Sequence, residues 1–232
     1  MNTSRSGRPT ALERTLDKAI AIPASRIEER VARMRRDRPG ADAAELVEMA
    51  ASRFRRDAGL SSGAVGASAA IPAISTGAAA ALTVGQSAAF IASAVTYVLT
   101  VAEIQGVHVV DTERRRALVL SALLGKEGSE VVQGQLGLST MFWAAKMLMQ
   151  MPLPSVKSIN AHLIKRVAKR SAAKGGALAL GRLIPFGIGA AIGWSGGRAL
   201  ANQVIEGAQA ALGPQLVLGS YVDDSRVEVI DA

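Results

Sequence analysis

The sequence predicts an all-α protein: a helical bundle with a central apolar helical hairpin and a Gly-rich C-terminal helix. Three observations carry that expectation. Hydrophobic residues make up 49% of the 232 but aromatic residues only 3%, so the apolar mass is Ala, Val, Leu and Ile beside 23 Gly. That mixture suits closely packed helices and not a β-sandwich, whose strands draw on aromatic side chains. Residues 58–102 form a run of 45 without a single charge. Elsewhere, apolar residues recur at helical spacing between cap and breaker residues.

Three regions follow from charge and composition: amphipathic charged helices over 1–57, a helical core domain over 58–213, and an acidic tail over 214–232. The net charge is +8, unevenly spread. The first 57 residues carry 13 basic and 9 acidic groups, and 103–174 carry 11 and 5. The tail sets Arg226 against Asp223, Asp224, Glu228 and Asp231. Cys is absent, which removes a disulfide framework and thiolate metal sites. The opening "MNTSRSGRPT" has no apolar core, so no secretory signal is expected in it.

In the first region, Thr10-x-x-Glu13 and Ser25-x-x-Glu28 read as capping boxes, and Asp42-x-x-Glu45 resembles one. Pro23 and Pro39-Gly40 separate the helices. Ile27, Val31 and Met34 form an apolar stripe on the second helix, and Leu46, Ala50 and Phe54 on the third. Their Arg-rich opposite faces read as solvated.

The uncharged run has the length of two membrane crossings, which need about 40 residues as helix. "TVGQS" at 83–87 is the expected turn. Arg53, Arg55 and Arg56 precede the run and Arg114, Arg115 and Arg116 follow it, so the pattern is that of a hairpin with both ends on the cytoplasmic side. The competing reading is a hairpin buried at the centre of a soluble bundle, because Ala, Gly, Ser and Thr dominate the first half and Pro72 interrupts it. Small residues at Gly59, Gly63 and Ala67, and at Gly77, Ala81 and Gly85, favour tight helix contacts under either reading.

Next, Asp111 caps a helix that Gly125 closes, Gly134 and Gly137 break the chain, and "LSTMFWAAKMLMQM" reads as helix up to Pro152. A basic helix follows. Its Lys165, Arg166, Lys169, Arg170 and Lys174 are the candidate contacts for lipid headgroups or other anions. It leads into a Gly-rich helix expected over 175–200. There Gly189, Gly193 and Gly197 fall four apart and form a candidate helix-packing face, with Ile184, Ile188 and Ile192 beside it. Trp194 and Arg198 would mark where that helix meets headgroups or the domain surface. Arg182 argues against a clean span and for an interfacial or re-entrant helix.

Two stretches resemble the EcsC family of bacterial proteins. One is "FIASAVTYVLTVAEIQGVHVVDTERRRALVLSALLG", with Ala102-x-x-x-Gly106 and Leu123-Leu124-Gly125. The other is "LIPFGIGAAIGWSGGRALANQVIEGAQAALG", with Ile184-Pro185 ahead of the spaced glycines. The resemblance implies an α-helical, membrane-associated protein. It also implies a role as accessory to a transporter, since the family's namesake is encoded beside one. It implies no catalytic residues.

Enzyme motifs are weak throughout. Gly193-Trp194-Ser195-Gly196-Gly197 fits the nucleophile elbow G-x-S-x-G, as does Gly59-Leu60-Ser61-Ser62-Gly63. An elbow needs a strand before it and, for Ser195, a His after it, yet His108 and His162 both precede Ser195. Two isolated histidines give no metal site, no P-loop is present, and Glu103 reads as a carboxylate at the end of an apolar helix. The expected function is therefore non-enzymatic, with no cofactor: a protein on the cytoplasmic side of the cell membrane, integral or peripheral, that binds lipid or a membrane-protein partner. The alternative is a soluble, cytoplasmic basic protein binding nucleic acid, to which pI ≈ 10.4 points.

Overall fold

A computed structural model describes residues 11–68, 76–136, 143–180 and 188–213. Among them the fold is all-α, with no strand. The order is α1 (Ala11–Ile20), α2 (Ala24–Asp37), α3 (Ala43–Ser68), α4 (Thr76–Ile104), α5 (Thr112–Leu124), α6 (Lys126–Leu136), α7 (Trp143–Met147), α8 (Leu153–Leu180) and α9 (Ile188–Leu212).

Local chemistry explains most of the boundaries. Asp42 accepts from the Glu45 amide at 2.8 Å and Asp111 from the Arg114 amide at 3.0 Å, so both act as the expected N-caps. Gly125 (φ +73°) turns α5 directly into α6, in a backbone conformation side chains disfavour. Ser25, by contrast, lies inside α2, which starts after Pro23 with no side-chain cap. The box at Thr10 lies outside the described residues, as do Gly137 and the acidic tail.

The expected stripes are buried: Ile27, Val31 and Met34 on α2, and Leu46, Ala50 and Phe54 on α3. They join a core with Leu16 and Ile20 of α1, Val95 and Val98 of α4, and Val204 and Ile205 of α9. Helix α5 is central. Leu118, Val119, Leu120 and Ala122 are all at most 1% exposed, and α1, α4, α6, α8 and α9 all touch it. A helix apolar on every side needs such a surround.

Five expected boundaries move. Helix α4 runs unbroken through 83–87, so the turn of the hairpin is not there. Thr83 and Gly85 are weak breakers; α3 and α4 instead end on either side of 69–75, which holds Pro72. The division at 57/58 falls inside α3, and the first region shares one core with the rest. The helix expected over 175–200 is two: α8 carries the basic stretch on to Leu180, and α9 begins at Ile188, beyond Pro185. Among the described residues before Pro152, 143–151, the helix α7 ends at Met147, and α6 continues past Gly134.

Candidate functional site

Helices α3 and α9 set the geometry. Trp194 lies over Gly59, Gly197 abuts Ala58 and Ser62, and Asn202 accepts from Arg55 Nε at 2.9 Å. Residue numbers fall along α3 as they rise along α9, so the two are antiparallel. Phe54 stacks on Tyr97 with centroids 5.0 Å apart and meets Phe90 at 5.8 Å. Since α3 ends at Ser68 and α4 starts at Thr76, a connection too short to span the length of a parallel pair, α4 is antiparallel to α3 as well. On α8, Asn160 bonds Glu113 at the start of α5, and Arg166 bonds Glu127 just past its end. Gln203 of α9 reaches the Leu123 carbonyl at the same end of α5. Gln105, just past α4, donates to the Gly213 carbonyl at the end of α9, and α5 starts soon after, so α9 ends where α5 begins; helix α8 therefore runs with α5 and against α9.

These registers point four helix ends the same way, the C-termini of α3 and α8 and the N-termini of α4 and α9; α3, α4 and α9 touch one another, whereas α8 packs on α5 and α6. The uncharged stretches 58–68, 76–86, 175–180 and 188–197 share one end of the bundle, here called the apex. Both Gly-rich segments of the sequence thus belong to one structural feature. At its lower margin Leu60 is 55% exposed and Trp194 36%, with the Arg198 guanidinium 5.7 Å from the Trp194 ring centre.

Gly197 is the glycine of the expected packing face whose surroundings are described. A Cβ there would overlap the Ala58 carbonyl oxygen and lie 2.8 Å from Ser62 Cβ, so it does let two helices approach closely. For Gly189 and Gly193 only the course of α9 is described. Sequence reasoning missed Gly207, where a Cβ would strike the carbonyl of Ala122 in α5. Its place in "IEGAQAALG", among small residues at helical spacing, was the available signal.

The basic row lies on α8, whose Val156, Ile159, Asn160 and Leu163 are buried. Lys165, Arg166 and Lys169 are exposed and wall an open groove of about 900 Å³ against Glu127, Glu130 and Val131 of α6. Arg166 is paired with Glu127 at 2.7 Å, whereas Lys165 and Lys169 have no ion-pair partner among the described residues. The side chains of Arg170 and Lys174 lie outside the described residues. The groove thus sets Lys165, Arg166 and Lys169 against two carboxylates, Glu127 and Glu130.

Four of the six arginines expected to flank a membrane hairpin, Arg55, Arg114, Arg115 and Arg116, are used internally. Arg114 donates to the carbonyls of Leu148, Met149 and Met151, closing the end of α7. Arg115 is buried on three other carbonyls, and Arg116 pairs with Asp17 and Glu113. Arg55 bonds Glu48 at 2.8 Å, and this bond, with one from Ser52, holds the Glu48 carboxyl below its ordinary pKa. A depressed carboxylate stabilises the fold above its unfolded pKa of about 4.5, and that contribution is lost as the pH falls through the depressed value. Glu48 is 64% exposed, so screening keeps the effect under about 1 kcal/mol. Glu48→Gln is expected to lower the melting temperature slightly at pH 7 and by less as the pH falls below 4.5; a drop that does not change with pH would show that the charge is irrelevant.

Among the described residues, Ser195 and Ser61 both sit inside continuous helices, without the strand an elbow requires. Glu103 Oε2 lies 2.8 Å from Nδ1 of the exposed His108, a contact that ties the loop after α4. The cavity beside this pair holds about 20 Å³, room for one water. No group of three or more metal-ligating side chains occurs among the described residues. One described helix is long and apolar enough to cross a membrane, through its stretch Ser87–Ile104, of which 56% is buried in the bundle. In comparisons with protein-family models, curated proteins and solved structures, nothing matches the chain.

Proposed function

We propose that this is a non-enzymatic, membrane-associated helical protein that binds lipid through its apex and the cationic row of α8. The observation that carries the reading is the gathering of the uncharged ends of α3, α4, α8 and α9 at one end of an otherwise charged bundle. The exposed Leu60 and Trp194 at the margin suit an interface, where aromatic side chains collect. Lys165 and Lys169 are free to meet anionic headgroups. The resemblance to the EcsC family agrees with this reading, as does a partner membrane protein at the same surface. The half of α4 from Ser87 to Ile104 is assigned to the bundle core, because α1, α2, α3, α5 and α9 all touch α4 and residues such as Val95 and Val98 are wholly buried.

The test is flotation with vesicles of phosphatidylglycerol and phosphatidylcholine. The protein is expected to float with them at low salt and to be released only in part at high salt. Each cation near an anionic surface is worth about 1 kcal/mol, so replacing Lys165 and Lys169 together by Gln is expected to weaken partitioning roughly 30-fold. Protein that stays at the bottom with every vesicle would overturn the reading. Salt-sensitive retardation of DNA under the same conditions would then favour the nucleic-acid alternative, for which pI ≈ 10.4 is the support.

A further inference from the structure

We infer that the acidic C-terminal stretch 223–231 docks on the basic row of α8 and competes there with anionic lipid; the competition rests on the membrane reading above. The fold supplies the docking face. Along its whole length α8 has basic residues and no acidic one. Burial of Val156, Ile159, Asn160 and Leu163 turns Lys165, Arg166 and Lys169 outward onto the groove against α6. On the facing wall Glu127 is bonded to Arg166 at 2.7 Å, Val131 is half-buried, and a Cβ at Gly134 would meet nothing within 4 Å. Lys165 and Lys169 are left exposed, with no ion-pair partner among the described residues.

Charge selects the occupant. The chain carries +8 overall, yet in 214–232 the acids Asp223, Asp224, Glu228 and Asp231 stand against Arg226 alone. Arg226 gives Glu130 on the α6 wall an opposite charge, and Val227, Val229 and Ile230 give Val131 an apolar match. Length permits the contact. Helices α8 and α9 both pack on α5, so their axes lie at most about 20 Å apart, at 8–10 Å per packed pair. Gly213 ends α9 where α5 begins, and Arg166 meets Glu127 just past the end of α5. The offset along the bundle is therefore no more than the length of α5, about 20 Å. The straight separation is then about 28 Å, against a reach from Gly213 of about 33 Å to Asp223 and about 50 Å to Glu228. Each exposed pair is weak alone, but the tether holds the acids near the row at roughly millimolar effective concentration.

The test uses the full chain. A carbodiimide, which joins touching amines and carboxylates, is expected at low salt to link Lys165 or Lys169 to 223–231 within one molecule. It is expected to spare Lys18, exposed on α1. No link to α8, or links to Lys18 as frequent as those to α8, would overturn the docking. The competition is read on vesicles of phosphatidylglycerol and phosphatidylcholine. Neutralising the tail by Asp223→Asn, Asp224→Asn, Glu228→Gln and Asp231→Asn is expected to lower the lipid needed for half-binding about tenfold, within the roughly 30-fold that the two lysines supply. In protein that also carries Lys165→Gln and Lys169→Gln, the same neutralisation is expected to gain less than about twofold, as screened long-range charge allows. An equal gain in both backgrounds would show a general effect of net charge and would overturn the inference. No gain in a protein that does float would overturn it too, while leaving membrane association intact. Failure of every form to float would overturn the membrane reading and with it the competition, and the cross-link would still decide the docking.

Discussion

Replacing Arg115 by Met is expected to remove about 3 kcal/mol of folding stability, a large share of the 5–15 kcal/mol a domain of this kind possesses. Arg115 is 6% exposed. Its Nε donates to the Val109 carbonyl at 2.6 Å, and one Nη donates to the carbonyls of Ile20 at 3.1 Å and Ile22 at 2.5 Å. Ile20 ends α1, where carbonyls have no partner within the helix. The one guanidinium therefore ties α1 and the following turn to the entry of α5. Burial lowers its pKa, but an arginine keeps its proton regardless. Met fills similar space and leaves three carbonyls without that donor, while sparing the cost of burying a charge. Arg116→Gln is the control: it removes the partly exposed pairs with Asp17 and Glu113, each worth under about 1 kcal/mol, and leaves no helix-end carbonyl without a donor. Urea unfolding with an unchanged slope separates the two. Equal losses for both variants would show that Arg115 is not the tie described.

The features legible in the sequence were those fixed by neighbouring residues. The stripes Ile27, Val31, Met34 and Leu46, Ala50, Phe54 are buried because apolar residues three and four apart share a helix face. Asp42, Asp111 and Gly125 act within a few residues of themselves. The turn over 83–87 failed on the same local logic, because a Gly and a Thr do not outweigh the packing that keeps α4 continuous. What the sequence hid was long-range. Arg114, Arg115 and Arg116 have the spacing of a membrane flank, and nothing local says that helix and loop ends supply carbonyls to the first two and that Asp17 and Glu113 pair with the third. Lys165, Arg166 and Lys169 were legible as one basic face, but the pairing of Arg166 with Glu127 needed the fold of α6 against α8. The apex joins stretches more than a hundred residues apart, and only the register of α3 on α9 places them side by side.

That register gives the second large effect, at two adjacent glycines. Gly197→Ala is expected to lower the melting temperature by roughly 5–10 °C, and Gly196→Ala to raise it by about 2–4 °C. Both gain helix propensity, worth about 1 kcal/mol for Gly to Ala. They differ in what the new methyl meets. At Gly196 nothing lies within 4 Å. At Gly197 the methyl would overlap the Ala58 carbonyl oxygen and stand 2.5 Å from Ser62 Oγ. Ser62 can rotate, but a backbone carbonyl in the middle of α3 cannot, so α3 and α9 must move apart. Overpacking of that kind costs about 1–3 kcal/mol net, and a larger side chain costs more, so Gly197→Leu is expected to prevent assembly of the pair altogether. The separation would also undo the seat of Trp194 on Gly59 and the bond from Arg55 to Asn202, which lie one to two turns away on the same seam. Trp194 emission should therefore shift in Gly197→Ala while Trp143, at 1% exposure, stays unchanged. Melting curves that rise for both alanine variants would mean that the α3–α9 seam is looser than a shared glycine contact.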